Sequence, residues 1–202
     1  MALVNTRMAP GVLQDVGPTL DLGLTATMAE PASDAHLVAA ARAGDRDAFG
    51  QLYDRYGRMV HGILLARVPR YDVADLVHDV FLLALRQLET LRDDRAFGGW
   101  LSAIARHRAA DHLRGAPDET SIPEELPGMD PARQEGRWVL RTIRSLPEAY
   151  RETLVLRLVE GMTGPEIAAR TGLTPGSVRV NLHRGMKQLR QKLGLPALEP
   201  ET

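Results

Sequence analysis

Apolar residues recur at intervals of three and four along most of the chain, and this period predicts helices. Asp34 is placed to cap a short helix over 35–43 that closes at Gly44, and Asp45 to cap a second that runs to about Val68. Phe49, Leu52, Tyr53, Tyr56, Val60, Ile63 and Leu64 form the apolar face of that second helix, and Pro69 stops it. Asp72 is then expected to cap a long helix to about Arg92, with Leu76, Val77, Val80, Phe81, Ala84 and Leu88 inward. The polar turn Arg92-Asp93-Asp94-Arg95 leads into a fourth helix from Phe97 to Arg114.

Residues 116–136 break the pattern with Pro117, Pro123, Pro127 and Pro131 among acidic residues, so they read as a flexible acidic linker. Helices resume at Arg137. Ser145-Leu146-Pro147-Glu148 and Thr163-Gly164-Pro165-Glu166 both match the capping-box spacing, and Thr174-Pro175 marks a further helix start. No alternating run suggests a strand. The expected fold is all-α, two small helical domains over 34–115 and 137–194. A mobile tail over 1–33, with Pro10, Pro18 and Pro31, precedes them, and a short tail over 195–202 follows. Met28 stands just before the patterned region as a candidate start.

Charge divides the chain in the same places. The net charge of −1 conceals −5 over 117–136 and +7 over 137–194. A basic block behind an acidic linker points to a polyanion partner, although a solvated basic face would look the same by charge alone. The absence of Cys excludes disulfide scaffolds, thiolate zinc sites and thiol catalysis, and fits a reducing compartment. No apolar run is long enough for a membrane span, and Pro10, Asp15 and Asp21 argue against a signal peptide.

Two short helices around Thr171-Gly172-Leu173-Thr174 make a helix-turn-helix pattern. Ile167 and Ala168 face inward on the first, and Val178, Leu182, Met186, Leu189 and Leu193 on the second. The opposite face presents Ser177, Val180, Asn181, Arg184, Lys187 and Gln188, with Arg179 at its flank. Its first turns suit base edges, and Arg184 and Lys187 suit phosphates. A buried helical hairpin with a basic exterior is the bland alternative. On the third helix Asp72, Asp75, Asp79, Leu82 and Arg86 form a stripe opposite the apolar face, either a docking surface with a Leu anchor or a solvated acidic face. On the fourth, Ala103, Arg106, His107, Ala110 and Arg114 point outward, small residues alternating with donors. Arg108 and Asp111 are expected inward as a pair. Trp100 suits either stacking on an exposed base or the core.

Asp75-Leu76-Val77-His78-Asp79-Val80-Phe81 and Trp100-Leu101 … Ile104-Ala105-Arg106 … Asp111-His112-Leu113-Arg114 resemble domain two of the extracytoplasmic-function (ECF) sigma factors of the sigma-70 family. Leu146-Pro147-Glu148 … Glu160-Gly161 … Glu166-Ile167-Ala168 … Gly176-Ser177-Val178-Arg179 … Leu182-His183-Arg184-Gly185 is similar to their domain four. The resemblance spans 34–193. It implies an initiation subunit that binds core RNA polymerase, recognises and opens promoter DNA, and is held by an anti-sigma protein. Asp75, Asp79, Leu82 and Arg86 would dock on the polymerase. Arg95, Trp100, Ala103, Arg106, His107 and Arg114 would read the minus-ten element and capture a flipped base. Ser177, Arg179, Val180, Asn181, Arg184 and Lys187 would read the minus-thirty-five element. His107 stands where the family often has Asn, and Val180-Asn181 where a Ser-Arg pair is common.

No cofactor, metal, catalytic residue, small-molecule substrate or membrane insertion is expected, and the implied location is the cytoplasm, at the nucleoid. The alternative is a helix-turn-helix regulator that acts without polymerase capture. A metal phosphohydrolase built from His78, Asp79, His107, Asp111 and His112 is disfavoured, because the helix phase sends Asp79 and Asp111 to different faces.

Overall fold

The computed structural model describes residues 32–115 and 131–196. Most of the two tails, Met28 and most of the linker lie outside the described residues. Eight helices are described: α1 Asp34–Arg42, α2 Arg46–Leu65, α3 Val73–Gln87, α4 Phe97–Gly115, α5 Pro131–Arg144, α6 Glu148–Leu158, α7 Gly164–Thr171 and α8 Pro175–Lys192. Short 3-10 turns at Arg70–Asp72, Leu88–Thr90 and Asp94–Ala96 join the first four. No described residue lies in a strand, so the fold is all-α.

Several caps differ from the expectation. Ser33, not Asp34, caps α1: its backbone is extended and its Oγ accepts from the His36 N–H. Asp34 is instead drawn to α2, where its carboxylate accepts from Arg55 Nη1 and from the Tyr56 hydroxyl, both at 2.6 Å. Asp45 caps α2, accepting from the Asp47 and Ala48 N–H groups. Asp72 makes no cap bond, because it closes a 3-10 turn in helical backbone and its carboxylate meets His112 Nε2 at 2.9 Å. Helix α3 stops at Gln87 rather than Arg92, and Thr90 Oγ1 donates to the Gln87 carbonyl at 2.7 Å, taking up a helix-end acceptor. Helix α2 stops at Leu65, and Pro69 keeps the chain from resuming it.

In the C-terminal block, the Ser145 capping box does not form. Pro147 holds the extended cap position, so α6 begins at Glu148, and Ser145 Oγ donates to the Thr142 carbonyl instead. The Thr163–Glu166 box does form: Glu166 Oε2 accepts from the Thr163 N–H at 2.7 Å, and Thr163 Oγ1 accepts from the Glu166 N–H at 3.4 Å. That backbone bond, with one from the Thr163 hydroxyl, holds the Glu166 carboxyl below the usual range. Gly172 takes φ +74°, the left-handed bend between α7 and α8, and Thr174 caps α8. Helix α5 opens at Pro131, inside the stretch read as linker.

One apolar core runs from Leu37 and Val38 of α1 through Leu52, Met59 and Ile63 of α2 to Val80 and Phe81 of α3. It continues through Phe97 and Leu101 of α4 into Leu154, Leu156 and Ile167 of the C-terminal block. The two blocks are thus packed on each other, chiefly α2 against α6 and α4 against α7. Small residues permit this approach. A Cβ at Gly98 would stand 2.4 Å from the Arg170 carbonyl oxygen, and one at Gly172 would stand 3.1 Å from Gly99 Cα.

Candidate nucleic-acid interface

Helix α8 carries an exposed face of Ser177, Arg179, Val180, Arg184 and Lys187. Its inner side is fixed by buried Val178 and Leu189 and by Gly185, whose missing side chain admits Tyr150 and Leu154 of α6. Thr174 Oγ1 accepts from the Ser177 N–H at 3.1 Å, which sets the first turn. Val180 is 42% exposed, an apolar side chain among donors. Asn181 departs from that face: it is half-buried beside Arg67, Arg106, Glu148 and Glu152 in a cleft of about 390 Å³.

On α4, Ala103, His107, Ala110 and Arg114 form an exposed stripe, and Arg95 is exposed in the turn before it. Trp100 is half-buried, its ring 5.9 Å from that of Phe97. Arg108 and Asp111 do not pair with each other. Arg108 faces α3 and donates to Asp79 Oδ2 at 2.6 Å, whereas Asp111 is exposed and pairs with Arg114. Spacing alone would allow the pair, but Asp79 of α3 claims Arg108 and Arg114 claims Asp111.

Arg106 is not free. Its Nε and Nη2 donate to Glu152 of α6 at 3.0 and 2.7 Å, a two-bond fork. Glu152 also accepts from Arg67 Nη2 at 2.6 Å, and Arg67 donates to Glu148 at 2.6 Å. Burial pushes the Glu152 carboxyl up, but the Arg106 hydrogen bonds and the two guanidinium charges outweigh it and hold the carboxyl below the usual range. The hydrogen bond to Glu152 correspondingly raises Arg106. Nearby, Ser102 Oγ lies 3.2 Å from the Thr171 carbonyl oxygen, His61 Nδ1 lies 2.6 Å from Glu160, and Arg144 donates to the Leu65 and Val68 carbonyls at the end of α2.

Helix α3 presents Asp75, Leu82 and Arg86 to solvent, while Asp79 is held by Arg108. Leu82 is 52% exposed and Leu85 46%, so the apolar patch is wider than one residue. Leu85 escaped the sequence reading because it lies off the Asp–Leu–Arg stripe. Glu152 and Arg67 escaped it too. An acid inside a basic block was the one available signal for Glu152. Among the described residues no group of three or more His, Asp or Glu is arranged to hold a metal ion, and His112 faces Asp72 rather than His107.

Residues 52–117 match the family model described as Sigma-70 region 2, and residues 136–189 the one described as Sigma-70, region 4. The ECF RNA polymerase sigma-E factor of Escherichia coli K12 is 34% identical over 188 residues, covering 82% of this chain and 97% of its own length. That of Haemophilus influenzae is 32% identical over 185 residues, covering 82% and 98%. Among solved structures, CnrH in complex with the cytosolic domain of CnrY is 31% identical, covers 80% of this chain and 97% of its own, and superposes with a TM-score of 0.58. Two helical units matching regions 2 and 4 in order, with relatives that align nearly end to end, make the chain a member of the ECF sigma factors of the sigma-70 family.

Proposed function

We propose that this sigma factor docks on core polymerase through the α3 patch and reads promoter DNA with α4 and α8. Asp75, Leu82 and Arg86 form the docking stripe, with Asp79 braced by Arg108 at its edge and Leu85 widening it. Arg95, Trp100, Ala103, Arg106, His107 and Arg114 contact the minus-ten element, and Ser177, Arg179, Val180, Asn181, Arg184 and Lys187 the minus-thirty-five element. Residues 34–115 and 137–194 act as the two reading units. The chain itself performs no chemistry; strand opening is driven by binding energy spent on flipped bases.

The observation that carries this reading is the exposed α8 face, basic and capped by Thr174, in a chain whose α3 also exposes two leucines. A regulator that merely binds duplex DNA has no need of that second patch. A cytoplasmic, nucleoid site of action follows from the role, and no described helix is long and apolar enough to cross a membrane. CnrH is bound by the cytosolic domain of CnrY, and by that likeness a protein inhibitor is proposed here as well.

The test is reconstituted transcription with core polymerase on a promoter library, scored by sequencing of run-off products. Initiation at defined sites only in the presence of the chain supports the reading. Duplex binding without core capture favours the helix-turn-helix regulator.

A further inference from the structure

Two guanidinium groups of the N-terminal block, Arg67 in the turn after α2 and Arg106 on α4, converge on one carboxylate of the C-terminal block. Arg67 Nη2 reaches Glu152 Oε2 at 2.6 Å, and Arg106 holds both Glu152 oxygens. The Arg67 side chain is 8% exposed and that of Glu152 is 6%, so water screens them little. From the turn after α2, Arg67 Nη1 also donates back to the Ile63 carbonyl of that helix at 3.0 Å, which fixes its direction independently of α6. A carboxylate and a phosphate present the same pair of oxygens to a guanidinium fork.

We propose that Arg67 and Arg106 form a phosphate site for promoter DNA, and that Glu152 fills it while the two blocks are packed together. DNA and the C-terminal block therefore compete for the same two guanidinium groups. The inference rests on the reading of α4 as a DNA-contacting helix; it adds Arg67 to that surface and makes Glu152 its intramolecular competitor.

Promoter geometry makes the competition obligatory. The minus-ten and minus-thirty-five elements lie about 25 base pairs apart, or about 85 Å along B-form DNA. In the packed chain α4 and α7 touch through Ser102 and Thr171 at 3.2 Å. One chain cannot place α4 on one element and α8 on the other until that contact opens. Opening strips Glu148 and Glu152 from Arg67 and Arg106 together, leaving two positive groups aimed at a common point. A backbone phosphate restores the balance there, so DNA binding and opening favour each other.

The chain has no Cys, so Ala74→Cys on α3 and Lys192→Cys on α8 give one exposed dye position per block. Energy transfer between the dyes is measured as short single-stranded DNA of mixed sequence is added, beside a strand with an uncharged methylphosphonate backbone. The charged strand is expected to lower the transfer, and the uncharged strand to leave it unchanged. Glu152→Gln should lower the transfer without DNA and tighten DNA binding about tenfold, since it removes a charge-assisted competitor. Adding Arg67→Ala should abolish that gain and reduce the salt slope by about one.

Binding of the charged strand with no change in transfer would overturn the proposal, as would unchanged affinity in a Glu152→Gln chain of native helical content. If that variant loses helical content, the wild-type transfer measurement decides. A wild-type chain that initiates transcription yet fails these tests loses only the phosphate site, whereas failure to initiate with core polymerase overturns the family role itself.

Discussion

Gly62 of α2 lies under Leu156 of α6 so closely that a Cβ on the glycine would stand 2.7 Å from Leu156 Cδ2 and 2.9 Å from Glu160 Cγ. Both of those side chains belong to the C-terminal block, so Gly62→Ala acts with opposite signs on two levels of structure. Within the last turn of α2 a glycine is replaced by the best helix former, a gain of up to about 1 kcal/mol. Between the blocks a methyl group is driven into Leu156. The expected result is a variant whose N-terminal helices melt at higher temperature while its radius of gyration in solution scattering grows. An unchanged radius would mean that Leu156 turns aside and that the packing tolerates the wedge.

The charge on Glu152 gives the packing a pH dependence of definite sign. Its carboxyl is held below its ordinary value of 4.5, so the packed arrangement is favoured above that value and the advantage is lost as pH falls through the lowered one. Guanidinium groups stay charged across the acid range. The part of the energy transfer that depends on Glu152 should therefore hold above pH 4.5 and be lost only below it, ahead of any loss of helical signal. Glu152→Gln should remove that acid step. His61→Gln, which takes the neighbouring Glu160 partner out of the measurement, should leave it in place.

The helices were legible because their signals are local. Asp45, Thr163 and Thr174 cap through hydrogen bonds to N–H groups within three residues, and the inward positions of α2 follow from a period of 3.6. Misreadings occurred where a distant partner outbid a local one: Asp34 turned to Arg55 and Tyr56, Asp72 to His112, Arg108 to Asp79. The same limit hid the Arg67–Glu152–Arg106 cluster, whose members are separated by 85 and 46 residues and share no spacing. Exposed faces were easier than pairings, since a side chain with no partner keeps the orientation its helix phase gives it. Asn181 is the exception on α8, because its orientation is set by the block packed against it.

On α8 two neighbouring turns should fail differently when altered. Arg184 is exposed beyond the first turns and suits a phosphate, so Arg184→Ala should weaken promoter binding about equally across sequences and lower the salt slope by about one. Val180, exposed and apolar, suits the 5-methyl group of a thymine in the major groove. Val180→Ala should change which base is preferred at one promoter position and leave the salt slope alone. Binding measured against a library of duplexes at several salt concentrations separates the two effects. Equal salt slopes for the Arg184→Ala chain and the wild type would remove that residue from the phosphate contacts.

The α3 patch makes the sharpest demand on the family role. Leu82 and Leu85 leave about half their surface in water, and Leu82 lies one turn from Asp79 and from Arg86. Neither leucine contributes to the core, which α3 meets through Val77, Val80, Phe81 and Ala84. Leu82→Glu should therefore leave helical content and thermal unfolding within about 0.5 kcal/mol of wild type, as surface changes usually do. If Leu82 is the apolar anchor of a polymerase interface, burying a glutamate there costs at least about 2 kcal/mol, or more than about thirtyfold in affinity for core polymerase. Duplex DNA binding by α8 should be unaffected, since α3 and α8 lie in different blocks. Pull-down with core polymerase, read beside DNA binding of the same preparation, checks both halves: capture that survives the substitution reduces the stripe to a solvated face.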